Sequence, residues 1–352
     1  MTRITAALLA ALALSVTTLA SAGPARAAPR PLSIVQLGDS VASGEGTLYG
    51  YRYDTAMQRW TGGNLDATWP GPYPGCHVSP DAYGTVVARN LNARFSTFAC
   101  TGAQYENGIV NPETDAGLLV NTVLRPAQFG DYATGVNLNA AYDAARPDVV
   151  LVTLGADDLQ FVPVVKDCVE NALASAVFLE TLRCTGANPG AMITNDFTTN
   201  LSILGQHLQA LVQAIQARGR TDGRIPKIVF TTYHDPLPTG STRCPDVALL
   251  EPAQVSYLHT LVAELNQEIV TTIKGRSVPG VALADTSNAM VGPDGKNHRW
   301  CSGQPWAYGL SVFKSTNPLT VTSQAPFHPT PDGQRRYAAL VTPVLKRLLG
   351  RR

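Results

Sequence analysis

Six consecutive residues, Val149-Val150-Leu151-Val152-Thr153-Leu154, are apolar or β-branched, follow Arg146-Pro147-Asp148 and end in Gly155-Ala156-Asp157-Asp158. A short run of this kind, with no polar face, predicts a strand buried on both sides. Such a strand needs helices above and below it, and the flanking sequence supplies them. Leu32–Leu37, Phe95–Phe98, Ile228–Thr232 and Val281–Ala284 read as further strands. Asp81–Asn92, Asn200–Ala217 and Gln254–Ile273 read as helices, with apolar residues recurring at helical spacing (Leu201, Leu204, Leu208, Leu211 and Ile215 in the second). A last helix begins at Thr330, a suitable N-cap, and Pro331, a suitable first helical residue, and buries Tyr337, Val341, Val344 and Leu348. Strands alternating with helices predict parallel β-α-β units with right-handed crossovers.

Other readings bound the function. Arg3, an uncharged run from Ile4 to Ala22, and the small-residue sites Ala20-Ser21-Ala22 and Ala25-Arg26-Ala27 make residues 1–27 a secretory signal peptide, with cleavage after Ala22 or Ala27. The apolar part is short for a membrane span, and no later run is long enough for one. The mature chain, 28–352, is therefore expected outside the cell with no transmembrane segment. A net charge of +1 with 15% charged residues gives no basic field for nucleic acid. Six cysteines in an exported chain favour disulfides, with fifteen pairings open. No Cys-x-x-Cys and no ligand-like pairing among the six histidines is present, so no metal and no cofactor is expected. Tyr49–Gly75, rich in Gly, Pro and aromatics without helical or strand period, reads as a long surface loop, and Ser287–Pro326 is likewise irregular.

Chemistry is expected where strands end, because ligands bind at the carboxyl edge of open α/β sheets. Gly38-Asp39-Ser40 closes the Leu32–Leu37 strand, which presents Ser40 as a nucleophile; Asp39 and Ser40 capping the next helix is the plainer reading of the same residues. Gly102 follows the Phe95–Phe98 strand in Ala99-Cys100-Thr101-Gly102-Ala103, as a turn glycine or as backbone brought close to a ligand. Asp157 and Asp158 close the third strand, as catalytic acids or as helix-terminus acids. His328, in the loop before the terminal helix, is available as a general base or is simply solvated.

Four blocks in order, Gly38-Asp39-Ser40 with Ser43-Gly44, Cys100-Thr101-Gly102-Ala103, Gly155-Ala156-Asp157-Asp158, and Phe327-His328-Pro329 with Gly333-Gln334, make the mature chain resemble the SGNH, or GDSL-type, hydrolases, in their secreted bacterial lipase and esterase branch. The resemblance implies a three-layer α/β, flavodoxin-like fold with a central parallel sheet. It also implies a serine ester hydrolase in which Ser40 is the nucleophile and His328 the general base. The oxyanion hole would comprise the backbone N–H groups of Ser40 and Gly102 with a third donor at Asp157. An acid often stands three residues before the histidine in this family; here that residue is Ala325, and its backbone carbonyl is expected to orient His328, leaving a Ser-His dyad. Asp157 stands where the family has an Asn. The family's pattern further implies the disulfides Cys76–Cys100, Cys168–Cys184 and Cys244–Cys301. Substrates are expected to be small-molecule or lipid esters, with phospholipase or carbohydrate O-deacetylase activity, or a silent binding protein, as alternatives.

Overall fold

Strands β1 (Ser33–Gly38), β4 (Arg94–Thr97), β5 (Val149–Thr153), β6 (Lys227–Thr231) and β7 (Val281–Ala284) form one five-stranded sheet in the order β4-β1-β5-β6-β7. All four neighbouring pairs are parallel. The computed structural model describes residues 30–64, 67–70, 73–113, 125–130, 137–161, 164–165, 168, 191–240, 243–248, 250–312 and 324–351. The segment read as a signal peptide lies outside the described residues, as does Cys184 and with it the Cys168–Cys184 pair.

The sheet is buried as its sequence requires. Ile34, Val35, Leu37 and all of Val149–Val152 have no exposed surface. Each such side chain contributes about 1.5–3 kcal/mol over an exposed position. Helices α2 (Tyr83–Asn90) and α6 (Pro331–Leu348) pack on one another, as do α4 (Ala191–Thr221) and α5 (Pro252–Gly275), and the two pairs flank the strands. Short helices α1 (Ser40–Ser43) and α3 (Asn139–Ala145) both pack against β1. The three-layer α/β reading thus holds, and most predicted elements lie within a few residues of those observed. Helix α4 begins nine residues earlier than its apolar stripe alone indicated.

From β1 the chain goes first to β4 on one side and then to β5, β6 and β7 on the other. The carboxyl ends of β1 and β5 therefore meet where the direction reverses, the usual ligand position in such sheets.

The expected loop over Tyr49–Gly75 is corrected in part. Tyr51–Asp54 (β2) pairs antiparallel with Arg59–Gly62 (β3), and Tyr53 stands opposite Trp60 with ring centroids 5.2 Å apart. Tyr49, Tyr51, Trp60 and Trp69 bury themselves with Tyr308 and Ala325 in a second cluster. Cross-strand aromatic contacts stabilise a hairpin whose strands carry too few residues to show a period.

Two side chains tie loops to the sheet edge. Gln128 accepts from the Gly38 N–H and donates to the Gly38 carbonyl, both at 2.8 Å. Gly38 has φ +136°, and a Cβ there would stand 2.1 Å from the Thr153 carbonyl oxygen, so only glycine fits. Gln334 of α6 donates to the Val41 carbonyl at 3.1 Å and accepts from the Tyr83 N–H at 2.9 Å. Disulfides join Cys76 to Cys100 and Cys244 to Cys301.

Replacing Gln128 by Leu leaves the buried Gly38 N–H without its acceptor and is expected to lower unfolding free energy by about 1–3 kcal/mol in urea titrations; an unchanged midpoint would contradict that role. The double variant Cys76→Ala/Cys100→Ala is expected to lose roughly 2–4 kcal/mol in the same measurement.

Candidate active site

Ser40 is the first residue of α1, directly after β1. Asp39 is the N-cap, its Oδ1 accepting the Val41 N–H at 3.0 Å. The capping reading therefore holds for Asp39, and the capped turn aims Ser40 at the sheet's carboxyl edge. The Ser40 N–H, at the start of a helix, has no partner within it.

His328 arrives on the strap between Ala325 and Thr330. Its backbone carbonyl accepts the Tyr308 N–H at 2.9 Å, and the Thr330 N–H bonds the Trp306 carbonyl at 2.8 Å. Helix α6 then starts as the sequence predicts, with the Thr330 hydroxyl capping Gly333. His328 Nε2 lies 2.7 Å from Ser40 Oγ, and Nδ1 lies 3.1 Å from the Pro326 carbonyl oxygen. Since a carbonyl only accepts, Nδ1 carries the proton and Nε2 turns its lone pair to the serine. The carbonyl 3.1 Å from Nδ1 is that of Pro326, and the carbonyls of Gln324 and of the expected Ala325 also interact with the ring. The Ala325 carbonyl accepts the His328 backbone N–H at 3.0 Å, because the strap turns tightly there. Burial pushes the imidazole below its ordinary value, against Glu45 and the carbonyls of Pro326, Gln324 and Ala325, which favour the cation. The resting ring is neutral near pH 7, as a base must be.

Gly102 and Asp157 line the same cavity as Ser40 and His328. Gly102 has φ +84° and exposes its backbone. The turn carrying it is held by the Cys76–Cys100 disulfide and by the Thr101 N–H on the Cys76 carbonyl at 3.2 Å. Asp157 is half-buried as a residue, but its Oδ2 is enclosed and has no hydrogen-bond partner among the described residues. Burial, then the charges of Asp39, Asp158 and Glu113, hold its carboxyl well above the ordinary value. Asp39 is likewise pushed up to about 7 by burial, but the Tyr233 hydroxyl and the Val41 and Ala42 N–H groups favour its anion. Of these two buried carboxyls, Asp157, whose Oδ2 meets no donor among the described residues, is the one whose surroundings favour the neutral form, and a neutral carboxyl can donate.

The cavity measures about 380 Å³. It is lined by apolar side chains, among them Phe161, Val165, Pro236, Val262, Leu265 and Phe327, and by the ion pair Arg125–Glu113, at 2.7 Å. Among the described residues no group of three His, Cys, Asp or Glu side chains is placed to hold a metal ion.

Three residues here escaped the sequence reading. Tyr233, two residues past β6, accepts the Ala156 N–H at 3.2 Å and donates a short hydrogen bond to Asp39 Oδ2, linking the turns that follow β1, β5 and β6. His234 is buried beside His328; its Nε2–H donates to the Phe327 carbonyl at 2.6 Å and its Nδ1 accepts from the Tyr337 hydroxyl at 2.8 Å. Burial lowers it to about 4, so it stays neutral. The strand-end rule that singled out Ser40 and Asp157, applied to β6, would have found both. Glu45 is the third, inside the Ser43-Gly44-Glu45-Gly46 turn and fully buried.

Comparisons with known proteins place the fold and the family. Among solved structures, an extracellular lipase from Streptomyces rimosus is similar at 19% identity, covering 90% of this chain and 99% of its own, with a TM-score of 0.52. A phospholipase A1 from Streptomyces albidoflavus NA297 is similar at 18% identity, with the same coverages and a TM-score of 0.51. At such identities they bear on the fold alone. No curated protein matches the chain. The model of the GDSL-like lipase/acylhydrolase family matches residues 37–336. That match runs from the end of the strand before Ser40 to well inside the helix behind His328, and the chain belongs to this family of hydrolases.

Proposed function

We propose that the chain is a secreted serine carboxylic-ester hydrolase of lipase or esterase type, working through an acyl-serine on a Ser40–His328 dyad. The observation that carries this reading is the 2.7 Å contact between a neutral histidine nitrogen and the serine hydroxyl, opening on a largely apolar cavity. As Ser40 Oγ attacks the ester carbonyl carbon, its proton passes to His328 Nε2, and the carbonyl electron pair moves onto oxygen. The N–H groups of Ser40 and Gly102, with protonated Asp157, meet that oxyanion, whose charge develops only in the transition state. Collapse breaks the bond to the alcohol, which takes the proton from His328. Water then attacks the acyl carbon and gives a proton to His328 Nε2; as this second tetrahedral intermediate collapses, the bond to Ser40 Oγ breaks, Oγ takes that proton back, and the carboxylic acid leaves.

Phe161, Val165, Val262 and Leu265 favour an acyl chain longer than acetyl, which supports a lipase or esterase over a carbohydrate deacetylase; each buried methylene adds about 0.8 kcal/mol. The polar end of the cavity leaves a phospholipid ester as a second substrate of the same site. Secretion is supported by the leader-like residues 1–27 and by disulfides, which persist in oxidising compartments.

With p-nitrophenyl esters, Ser40→Ala and His328→Ala are each expected to lower kcat by at least about 10³-fold with little change in KM. Near-native turnover by Ser40→Ala would overturn the assignment, and no wild-type turnover of any ester would leave a binding protein. Butyrate to octanoate esters are expected to give higher kcat/KM than acetate. His328 must be neutral and Asp157 protonated, so kcat/KM should rise with pH through the first titration and fall through the second. Asp157→Asn keeps a donor at every pH and is expected to remove the alkaline fall; an unchanged profile would take Asp157 out of the oxyanion hole.

A further inference from the structure

Glu45 is a buried carboxylate with no part in the chemistry derived above. It has no exposed surface, yet it is ionised. Burial pushes its carboxyl up, but the hydrogen bond from His77, the charges of His77 and His328, and the hydrogen bond from Thr101 outweigh that and hold it below the ordinary value. His77 Nδ1 lies 2.6 Å from Oε2, and the Gly46 N–H lies 3.1 Å from Oε1. The Tyr49 hydroxyl is a further partner. A buried carboxylate so well supplied with donors remains an anion.

Its surroundings are the active site itself. The Glu45 N–H donates to the Ser40 carbonyl at 3.0 Å. Thr101, which bonds the carboxylate, precedes Gly102. Gly46 packs so closely on the strap before His328 that a Cβ there would come within 3.0 Å of the Ala325 Cβ and 3.1 Å of the Tyr308 ring. Ala325, three residues before His328, carries no charge, and the turn holding Gly46 lies against it. The side chains facing His328 from other elements carry little net charge. His234 after β6 is neutral, Asp157 after β5 holds a proton, and Glu113 is paired with Arg125. Asp39 spends its charge on Tyr233 behind Ser40.

We propose that Glu45 is a positioning residue that stabilises the His328 imidazolium through space, supplying from the nucleophile's own loop the negative charge that Ala325 lacks. The Pro326 carbonyl fixes the tautomer, and Glu45 favours the cation that forms when Ser40 gives up its proton. The division explains how a dyad works at a base that burial alone makes weak. His77, donating to Glu45 while stacked on Trp69 at 4.6 Å, keeps the carboxylate aimed inward.

The inference rests on the Ser40–His328 reading, and the two are tested by different quantities: turnover by Ser40→Ala for the dyad, and the acid limb of the pH profile for Glu45. In Glu45→Gln the acid limb of kcat/KM against pH is expected to move about 0.5–1 unit lower, because the imidazolium loses its counter-charge. The plateau kcat is expected to fall about tenfold with KM within about twofold. A loosened loop would lower kcat/KM at every pH with the limb in place, so an unmoved limb in folded Glu45→Gln overturns the proposal. Should that variant not fold, Glu45→Asp keeps the charge and is expected to hold its limb within about 0.3 unit and its kcat within about fivefold of wild type. A folded Glu45→Asp whose limb falls by a full unit, or whose kcat falls beyond about 100-fold, overturns the proposal equally.

Discussion

A single hydrogen bond, His328 Nε2 to Ser40 Oγ at 2.7 Å, spans 288 residues of chain, and much of the structure serves to hold its two ends. One end is fixed by β1, whose last residue must be glycine to pass the Thr153 carbonyl and is gripped on both backbone groups by Gln128. The other is fixed by the strap from Ala325 to Thr330, pinned to Trp306 and Tyr308 and then capped into α6. Gln334 closes the circuit by bonding the backbone of both Val41 and Tyr83. Rigid elements at both ends give a reacting pair its geometry at little cost in entropy at the moment of reaction.

Charge at the site is managed by burial and pairing. Asp39, Asp157 and Glu45 are acids near one serine, and their surroundings set them apart. Asp39 has three donors, Glu45 has at least three, and the Oδ2 of Asp157 has none among the described residues. The first two suit anions and the third a neutral acid. Tyr233 joins this arrangement mechanically, since its hydroxyl bridges Asp39 and the Ala156 N–H and so fixes the turn bearing Asp157 to the turn bearing Ser40.

The sheet was legible because its signal is local: an apolar run such as Val149–Leu154 buries itself whatever its partners, and α6 announced its start through Thr330 and Pro331. The β2–β3 hairpin was not legible, because its order comes from Tyr53 on Trp60 and from Tyr308, which lies 248 residues further along. Ser40, Gly102, Asp157 and His328 were singled out by strand ends and by the resemblance, and the structure brings all four to one cavity. Which carbonyl meets His328 Nδ1 depends on one turn of backbone: the resemblance pointed to Ala325, and the Pro326 carbonyl stands 3.1 Å from Nδ1 beside it. Glu45 and Tyr233 carry no motif of their own; their roles arise only when distant turns are packed together.

The central claim, that Ser40 carries the acyl group and His328 moves the proton, is tested most directly by trapping the intermediate. An activated ester mixed with the full chain and quenched in acid within milliseconds, then mapped by mass spectrometry of peptides, should show one acyl group per chain on the peptide containing Ser40, and none in Ser40→Ala. Acyl transfer to a different residue, or turnover at full rate with no acyl-enzyme on any peptide, would contradict it.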